Sequence, residues 1–182
     1  MDLFKIGWFN FKFKPLGNSS DRIRIAQIRA ARDTKIVPWV KATQYHLLTI
    51  GFQPMDVDVV FDGTIDYYDH GIAYHEHDTD RKYVHLNNTL LSSGKDHGDA
   101  VAINTLIHEW AHIWLYHRVS DKVLFKKLQD KLFELRKTDY HDDGALEYAL
   151  EYDRGDELFT YLVTFYDTLN EDLQDFLEDL LK

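Results

Sequence analysis

The feature that most constrains this chain is the stretch TLIHEWAHIWLYH, residues 105–117. It lies in a segment that predicts one helix from Asp99 to about Arg118. Apolar side chains occur around the whole circumference of that helix, at Val101, Ile103, Leu106, Ile107, Trp110, Ile113, Trp114 and Leu115. A helix that is apolar on nearly all sides belongs in the centre of a core. The rest of the chain is therefore expected to pack around this segment.

The residues that precede the central helix predict helices followed by a small sheet. Phe9–Lys14 alternates aromatic and polar residues, which is typical of a half-buried strand. Helices are expected from Asp21 to Arg32, after a cap at Ser19 or Ser20, and from about Pro38 to Gly51. The β-branched run Val57–Phe61 predicts a strand, and two or three more strands are expected between Thr64 and Leu86.

The residues that follow the central helix are expected to be helical. Ser120 is predicted to cap a helix over residues 121–137, and residues 145–169 predict one helix or two with a break near Arg154 and Gly155. The last residues of the sequence predict a short, acidic, amphipathic helix. The fold class expected is α+β, with a small mixed or antiparallel sheet preceding a central helix and a helical C-terminal half.

Length and patterning predict a single domain over residues 1–182. It divides into an N-terminal strand and helices (1–55), a sheet region (56–97) and a helical part (98–182). The sequence has no stretch that reads as a secretory signal and no apolar run long enough for a transmembrane helix. We therefore expect a cytoplasmic protein that neither spans nor binds a membrane.

Composition excludes several kinds of site. The chain has no cysteine, so any metal ion must be held by His, Asp or Glu. Its formal net charge of -10 argues against a nucleic-acid partner. No phosphate-binding loop, dinucleotide fingerprint or serine-hydrolase elbow occurs.

The central helix carries residues suited to zinc chemistry. His108 and His112 lie one turn apart on the same face, so both imidazoles can reach one Zn²⁺ ion. Glu109 lies about 100° further round the helix, where it can contact a zinc-bound water without acting as a ligand. That position suits a general base for the water. The alternative is a structural protein whose buried histidines hold no metal, although histidines buried without a partner are costly.

These residues resemble the HExxH signature of the zincin metallopeptidases. Metzincins continue the signature with a glycine and a third histidine at fixed spacing. This chain lacks the glycine, and His117 comes one residue early. The resemblance is therefore to the gluzincins, including ImmA/IrrE-type and other compact phage and bacterial zinc peptidases, in which a glutamate from a later helix is the third ligand.

The resemblance implies that Glu157 is the third zinc ligand. Glu157 precedes an apolar set that would pack its helix against the central helix, and the segment is similar to the third-ligand segment of those peptidases. Glu147 and Glu151 remain open as alternatives. The weaker candidates are Asp153, Asp156 and His141.

The function implied is zinc-dependent hydrolysis of a peptide or protein substrate, with Glu109 as general base. Zincins pair the substrate backbone with a strand of the preceding sheet, which here is either Gly71–His77 or Lys82–Leu86. The alternative is a zincin-like regulatory or interaction protein that binds zinc and has little or no peptidase activity.

Two further expectations concern side chains near this site. His75 and His77 share a face of a predicted strand and could bind a second ion, but a solvated strand edge is the preferred interpretation. Asp99 and Asn104 are candidates to orient the ligand histidines as hydrogen-bond acceptors.

Overall fold

A five-stranded mixed sheet forms one side of the protein, and the C-terminal half is helical. The computed structural model describes residues 1–62, 70–92, 98–138 and 144–182. The strands are β1 (Asp2–Ile6), β2 (Phe9–Phe13), β3 (Val57–Phe61), β4 (Gly71–Glu76) and β5 (Arg81–Leu86). The expected α+β class is confirmed.

The sheet has the strand order β1-β2-β3-β5-β4. The outer pairs β1–β2 and β4–β5 are antiparallel, whereas β2–β3 and β3–β5 are parallel. Parallel neighbours need a long crossover, and the segment between β2 and β3 supplies one in helical form. The edge strand β4 thus runs antiparallel to β5, its one neighbour among the described strands.

Seven α-helices occur in the described residues: α1 (Ser20–Ala31), α2 (Val37–Ile50), α3 (Gly98–Tyr116), α4 (Lys122–Leu135), α5 (Gly144–Glu151), α6 (Gly155–Thr164) and α7 (Glu171–Leu180). A π-helical segment, Arg32–Ile36, joins α1 to α2, and a 3-10 turn, Asn88–Leu91, follows β5. The predicted break near Arg154 is confirmed, since it separates α5 from α6. Within the described ranges, no helix combines the length and the apolarity needed to cross a membrane.

The structure departs from the sequence-based expectations at two local points. Strand β1 was not predicted, since its short segment lacks a clear alternating pattern. The predicted cap at Ser120 is wrong, because the carboxylate of Asp121 accepts the hydrogen bond from the Leu124 N–H at 3.0 Å. A third strand starting at Thr64 and the third-ligand candidate His141 lie outside the described residues.

Helix α3 lies in the core, as its all-round apolar surface predicted. The ring of Trp110 is fully buried and contacts the edge of Phe52 at a centroid distance of 5.1 Å. Trp114 stacks on Phe159 of α6, also at 5.1 Å. One side of α3 packs on β4 and β5, and another side packs on α6. This placement brings the edge of the sheet and the start of α6 to the same helix.

Strand β4 lies close to α3 at Gly71. A Cβ atom added there would lie 2.7 Å from Cγ2 of Thr105 and 3.2 Å from Cγ of Glu109. The backbone oxygen of His85 would lie 3.3 Å away on the other side. Glycine therefore sets the distance between the edge strand and the helix that carries Glu109.

We expect Gly71→Ala to destabilise the protein by about 1–3 kcal/mol, because the new methyl group overpacks the β4–α3 contact. Adding Thr105→Ser removes the nearest colliding methyl group, so the double variant should recover part of the loss. Urea unfolding of the single and double variants measures both effects. Equal stability of Gly71→Ala and the parent chain would contradict the close packing described above.

Candidate metal centre

Three side chains from two helices meet beside the edge of the sheet. Nε2 of His108 lies 3.2 Å from Nε2 of His112. Oxygens of the Glu157 carboxylate lie 3.4 Å from the first nitrogen and 3.3 Å from the second. Among the residues that the structure describes, this is the one group of three or more His, Asp or Glu side chains whose ligand atoms converge in this way.

The spacing of these atoms fits a tetrahedral metal ion. Nitrogen and oxygen ligands at about 2.0–2.1 Å from a tetrahedral zinc ion lie about 3.3 Å from one another. Here the two imidazole nitrogens lie 3.2 Å apart, and each lies 3.3–3.4 Å from a different oxygen of the Glu157 carboxylate. With one ligand atom from each residue, the three atoms lie within 4.8 Å of one another. The set of donors, two imidazoles and one carboxylate, is also one that zinc uses. His108, His112 and Glu157 could therefore hold a metal ion.

Local structure at the start of α6 places Glu157 against α3. The chain turns between α5 and α6 at Asp153, which has a φ of 57°. Gly155 then lies against α4, where an added Cβ would be 3.4 Å from Cβ of Leu128. The buried side chains of α6 that follow Glu157, including Leu158 and Leu162, enter the core. Glu157 is thereby held in the first helical turn, facing the two histidines.

The alternative third ligands are not part of this group. Glu147 and Glu151 are exposed on α5. The carboxylate of Asp153 instead accepts hydrogen bonds from Gln129 and Arg136, at 2.5 and 2.8 Å. Of the candidates within the described residues, the structure brings Glu157 to the histidines.

Asp156 approaches the opposite side of His112. Its Oδ2 atom lies 3.9 Å from Nδ1 of His112, a buried nitrogen that has no hydrogen-bond partner. The guanidinium of Arg154 donates two hydrogen bonds to Asp156, at 2.8 and 2.6 Å, and lies 3.7 Å from the Glu157 carboxylate. At this distance Asp156, a weaker ligand candidate in the sequence, makes no hydrogen bond to His112, and its carboxylate is bonded to Arg154 instead.

The expected orienting role of Asp99 is not supported, because Asp99 accepts a hydrogen bond from the indole N–H of Trp39 at 2.7 Å. Among the described residues, His75 and His77 belong to no group of three or more converging ligand side chains. Their rings lie against each other, and Nε2 of His75 pairs with Asp80 at 2.7 Å.

Glu109 faces a cavity next to the three convergent side chains. The cavity encloses about 380 Å³ and is lined by Gly71, Thr105, His108 and Glu109, among others. Burial raises the pKa of the Glu109 carboxyl above its ordinary value, although the nearby histidines and a hydrogen bond from the Ala73 N–H oppose the rise. A buried carboxylate of raised pKa at the mouth of a cavity is suited to accept a proton.

Tyr116 is a residue of the site that sequence reasoning did not select. Its ring stacks on His112 at a centroid distance of 6.1 Å, and its hydroxyl donates to the carbonyl of Ala73 at 3.5 Å. Tyr116 lies one turn after His112 on α3, and this spacing in the sequence could have identified it as a residue of the site. The two backbone groups of Ala73 therefore contact Tyr116 and Glu109, two side chains of the same helix.

Comparison with protein-family models gave no match, and searches of curated proteins and of solved structures gave no significant match either. The assignment of a function to this site therefore depends on its geometry and chemistry.

Charge around His112 makes its pKa sensitive to Glu157. Burial lowers the pKa of His112, but the hydrogen bond to Glu157 and the neighbouring carboxylates outweigh burial and raise it above 6.5. Protonated His112 therefore stabilises the metal-free fold at low pH, and this contribution is lost as the pH rises through the raised pKa.

We expect Glu157→Gln to lower the pKa of His112 in chelator-treated protein, because the variant removes a charged partner and leaves the effect of burial. Titration of the histidine ring by NMR measures this shift. Glu147→Gln, which changes an exposed carboxylate on α5, is the matched control and should leave His112 unchanged. An unaltered pKa in Glu157→Gln would contradict the pairing.

Proposed function

We propose that this protein is a zinc-dependent peptide hydrolase in which His108, His112 and Glu157 hold the metal ion. The observation that carries the proposal is the convergence of ligand atoms from these three side chains beside a cavity that is lined by Glu109. Three protein ligands leave a fourth position open, which is typical of catalytic zinc sites and not of structural ones. When bound, zinc would polarise a carbonyl group and make a water molecule more acidic.

Glu109 is the general base in this proposal. Its carboxylate accepts a proton from the attacking water and later passes that proton to the leaving amine. The hydrogen bond from the Ala73 N–H fixes the orientation of the carboxylate, and burial raises its pKa and hence its basicity. Glu109 is also adjacent in sequence to His108, so the base and the ligands move together with α3.

The edge strand β4 is the proposed binding surface for an extended peptide. The N–H and C=O of Ala73 both point towards α3, since Glu109 and Tyr116 contact them. Because the two groups of one residue in a strand point to the same side, this is the side away from β5. The groups of Ala73 are already engaged, so a peptide would add through the backbone groups of Gly71 and His75, which point to the same side of β4 as those of Ala73. Strand β5 lies between β3 and β4, so residues 82–86 offer no free edge.

We expect one zinc ion per chain in protein purified without chelator. Glu157→Gln and His112→Ala should lose the ion or bind it at least about 10-fold more weakly, because each removes a ligand. Metal analysis and calorimetric titration with zinc after chelation measure this. The matched control Glu147→Gln should behave like the parent chain. Full zinc affinity in Glu157→Gln would refute its role as a ligand.

We expect Glu109→Gln to keep zinc but to slow hydrolysis of a peptide library by about 10²–10⁴-fold, the usual contribution of a general base. Mass spectrometry of the cleaved library and metal analysis of the same samples give the two readouts. If the parent chain binds zinc and cleaves nothing, the regulatory alternative is favoured. If Glu109→Gln cleaves as fast as the parent, Glu109 is not the base.

A further inference from the structure

Two exposed tyrosines, Tyr148 and Tyr152, form a pair on the outer side of α5. Their side chains are 44% and 58% exposed, and their ring centroids lie 4.8 Å apart. The N–H of Tyr152 donates to the Tyr148 carbonyl at 3.1 Å, which continues the helical geometry one residue beyond α5. Among the described residues, no lysine or arginine lies over either ring. The tyrosine pair is therefore accessible to a ligand from solvent.

The tyrosine pair continues one wall of the cavity beside Glu109. Ala145, Tyr148 and Tyr152 follow one another at intervals of three and four residues, so they share a face of the helix. Ala145 lines the cavity. Beyond Tyr152 the chain turns into α6, whose first turn holds Glu157. A peptide bound at the cavity can therefore extend along the tyrosine pair.

The charges next to the tyrosine pair favour a cation. Glu147 and Glu151 are exposed on α5, and neither carboxylate forms an ion pair with a described residue. Glu151 follows Tyr148 by three residues, which places the two side chains next to each other on the helix. The guanidinium of Arg154 donates two hydrogen bonds to Asp156, so its charge is already compensated. A cation bound on the tyrosine rings would therefore meet an unpaired carboxylate.

We propose that the tyrosine pair and Glu151 bind an arginine or lysine side chain of the peptide substrate. The faces of tyrosine rings attract cations, and arginine also stacks on them. The carboxylate of Glu151 adds a charge-assisted contact, and the net charge of -10 favours the approach of a basic peptide. The identification of this peptide as the substrate rests on the proposed function, whereas the binding of a basic side chain does not.

The first test measures peptide binding alone, with the full chain and a chelator present so that no metal ion takes part. The probe is a pentapeptide with blocked ends and one arginine among four alanines. The same peptide with leucine or glutamate in place of arginine serves as comparison. NMR follows the ring resonances of Tyr148 and Tyr152. We expect saturable binding of the arginine peptide, weaker binding of the leucine peptide and no binding of the glutamate peptide.

Double variants of the tyrosine pair test the contribution of the rings. Tyr148→Leu combined with Tyr152→Leu keeps apolar bulk but removes both rings, so it should weaken binding of the arginine peptide about fivefold or more. Tyr148→Phe combined with Tyr152→Phe keeps the rings and should stay within about twofold of the parent chain. The matched control is Tyr45→Leu, which changes a tyrosine of α2 that is 76% exposed and should have no effect.

A further pair of variants tests the carboxylate. Glu151→Gln should weaken binding of the arginine peptide about 1.5- to 5-fold, the usual range for an exposed ion pair. Glu171→Gln changes an exposed carboxylate of α7 and should leave the affinity unchanged. Equal losses in these two variants would show that only the overall charge of the chain attracts the peptide, which contradicts a role of Glu151.

The second test uses the zinc-loaded protein and a peptide library. Cleaved peptides should carry arginine or lysine at a fixed distance from the cleaved bond, and the double leucine variant should lose this preference while it keeps its zinc. Cleavage without a basic preference would refute the proposal and leave the proposed function intact. If the parent chain cleaves nothing, the proposed function fails, and the binding test alone decides whether the tyrosine pair recognises basic side chains.

Three results of the binding test would overturn the proposal. They are the absence of saturable binding of the arginine peptide, equal binding of the leucine peptide, and equal losses in the double leucine variant and Tyr45→Leu. None of these results depends on whether the protein binds zinc or cleaves peptides.

Discussion

The packing of α3 against the sheet on one side and α6 on another is the constraint on which the site depends. The rings of Trp110 and Trp114 fix the rotation of the helix, since they pack on Phe52 and Phe159, and the indole N–H of Trp110 donates to the Met55 carbonyl at 3.2 Å. With that rotation fixed, the two histidines of α3 face the start of α6. A core packed at this density does not rotate one helix without moving its neighbours.

Several charged side chains surround the histidines of the candidate metal centre. The carboxylates of Glu109, Asp156 and Glu157 lie around the two imidazoles, and Arg154 is the cation that pairs with Asp156. Partly buried carboxylates are costly unless they are paired. Although burial opposes it, the histidines hold the pKa of Glu157 well below its usual range. In the proposed function, a divalent ion would replace the proton of His112 as the positive partner of the Glu157 carboxylate.

Sequence patterns predicted most of the fold, because strands and helices carry their own periodicity. The strand at Phe9–Phe13 and the helices around Asp99 and residues 121–137 were all expected within a few residues of their observed bounds. Strand β1 was missed because its short segment alternates too weakly. The cap of α4 was assigned one residue early, since serine and aspartate both suit that position and the local geometry decides between them.

The sequence by itself determined the relation between His108, Glu109 and His112, because residues one turn apart on a helix share a face whatever surrounds them. It did not determine the third member of the group, since Glu147, Glu151 and Glu157 all follow on later helices. Tertiary structure decided that Glu157 meets the histidines and that β4 lies at one edge of the sheet formed by the described strands. Each of these depends on how distant segments pack together, and helical or strand periodicity carries no information about such contacts.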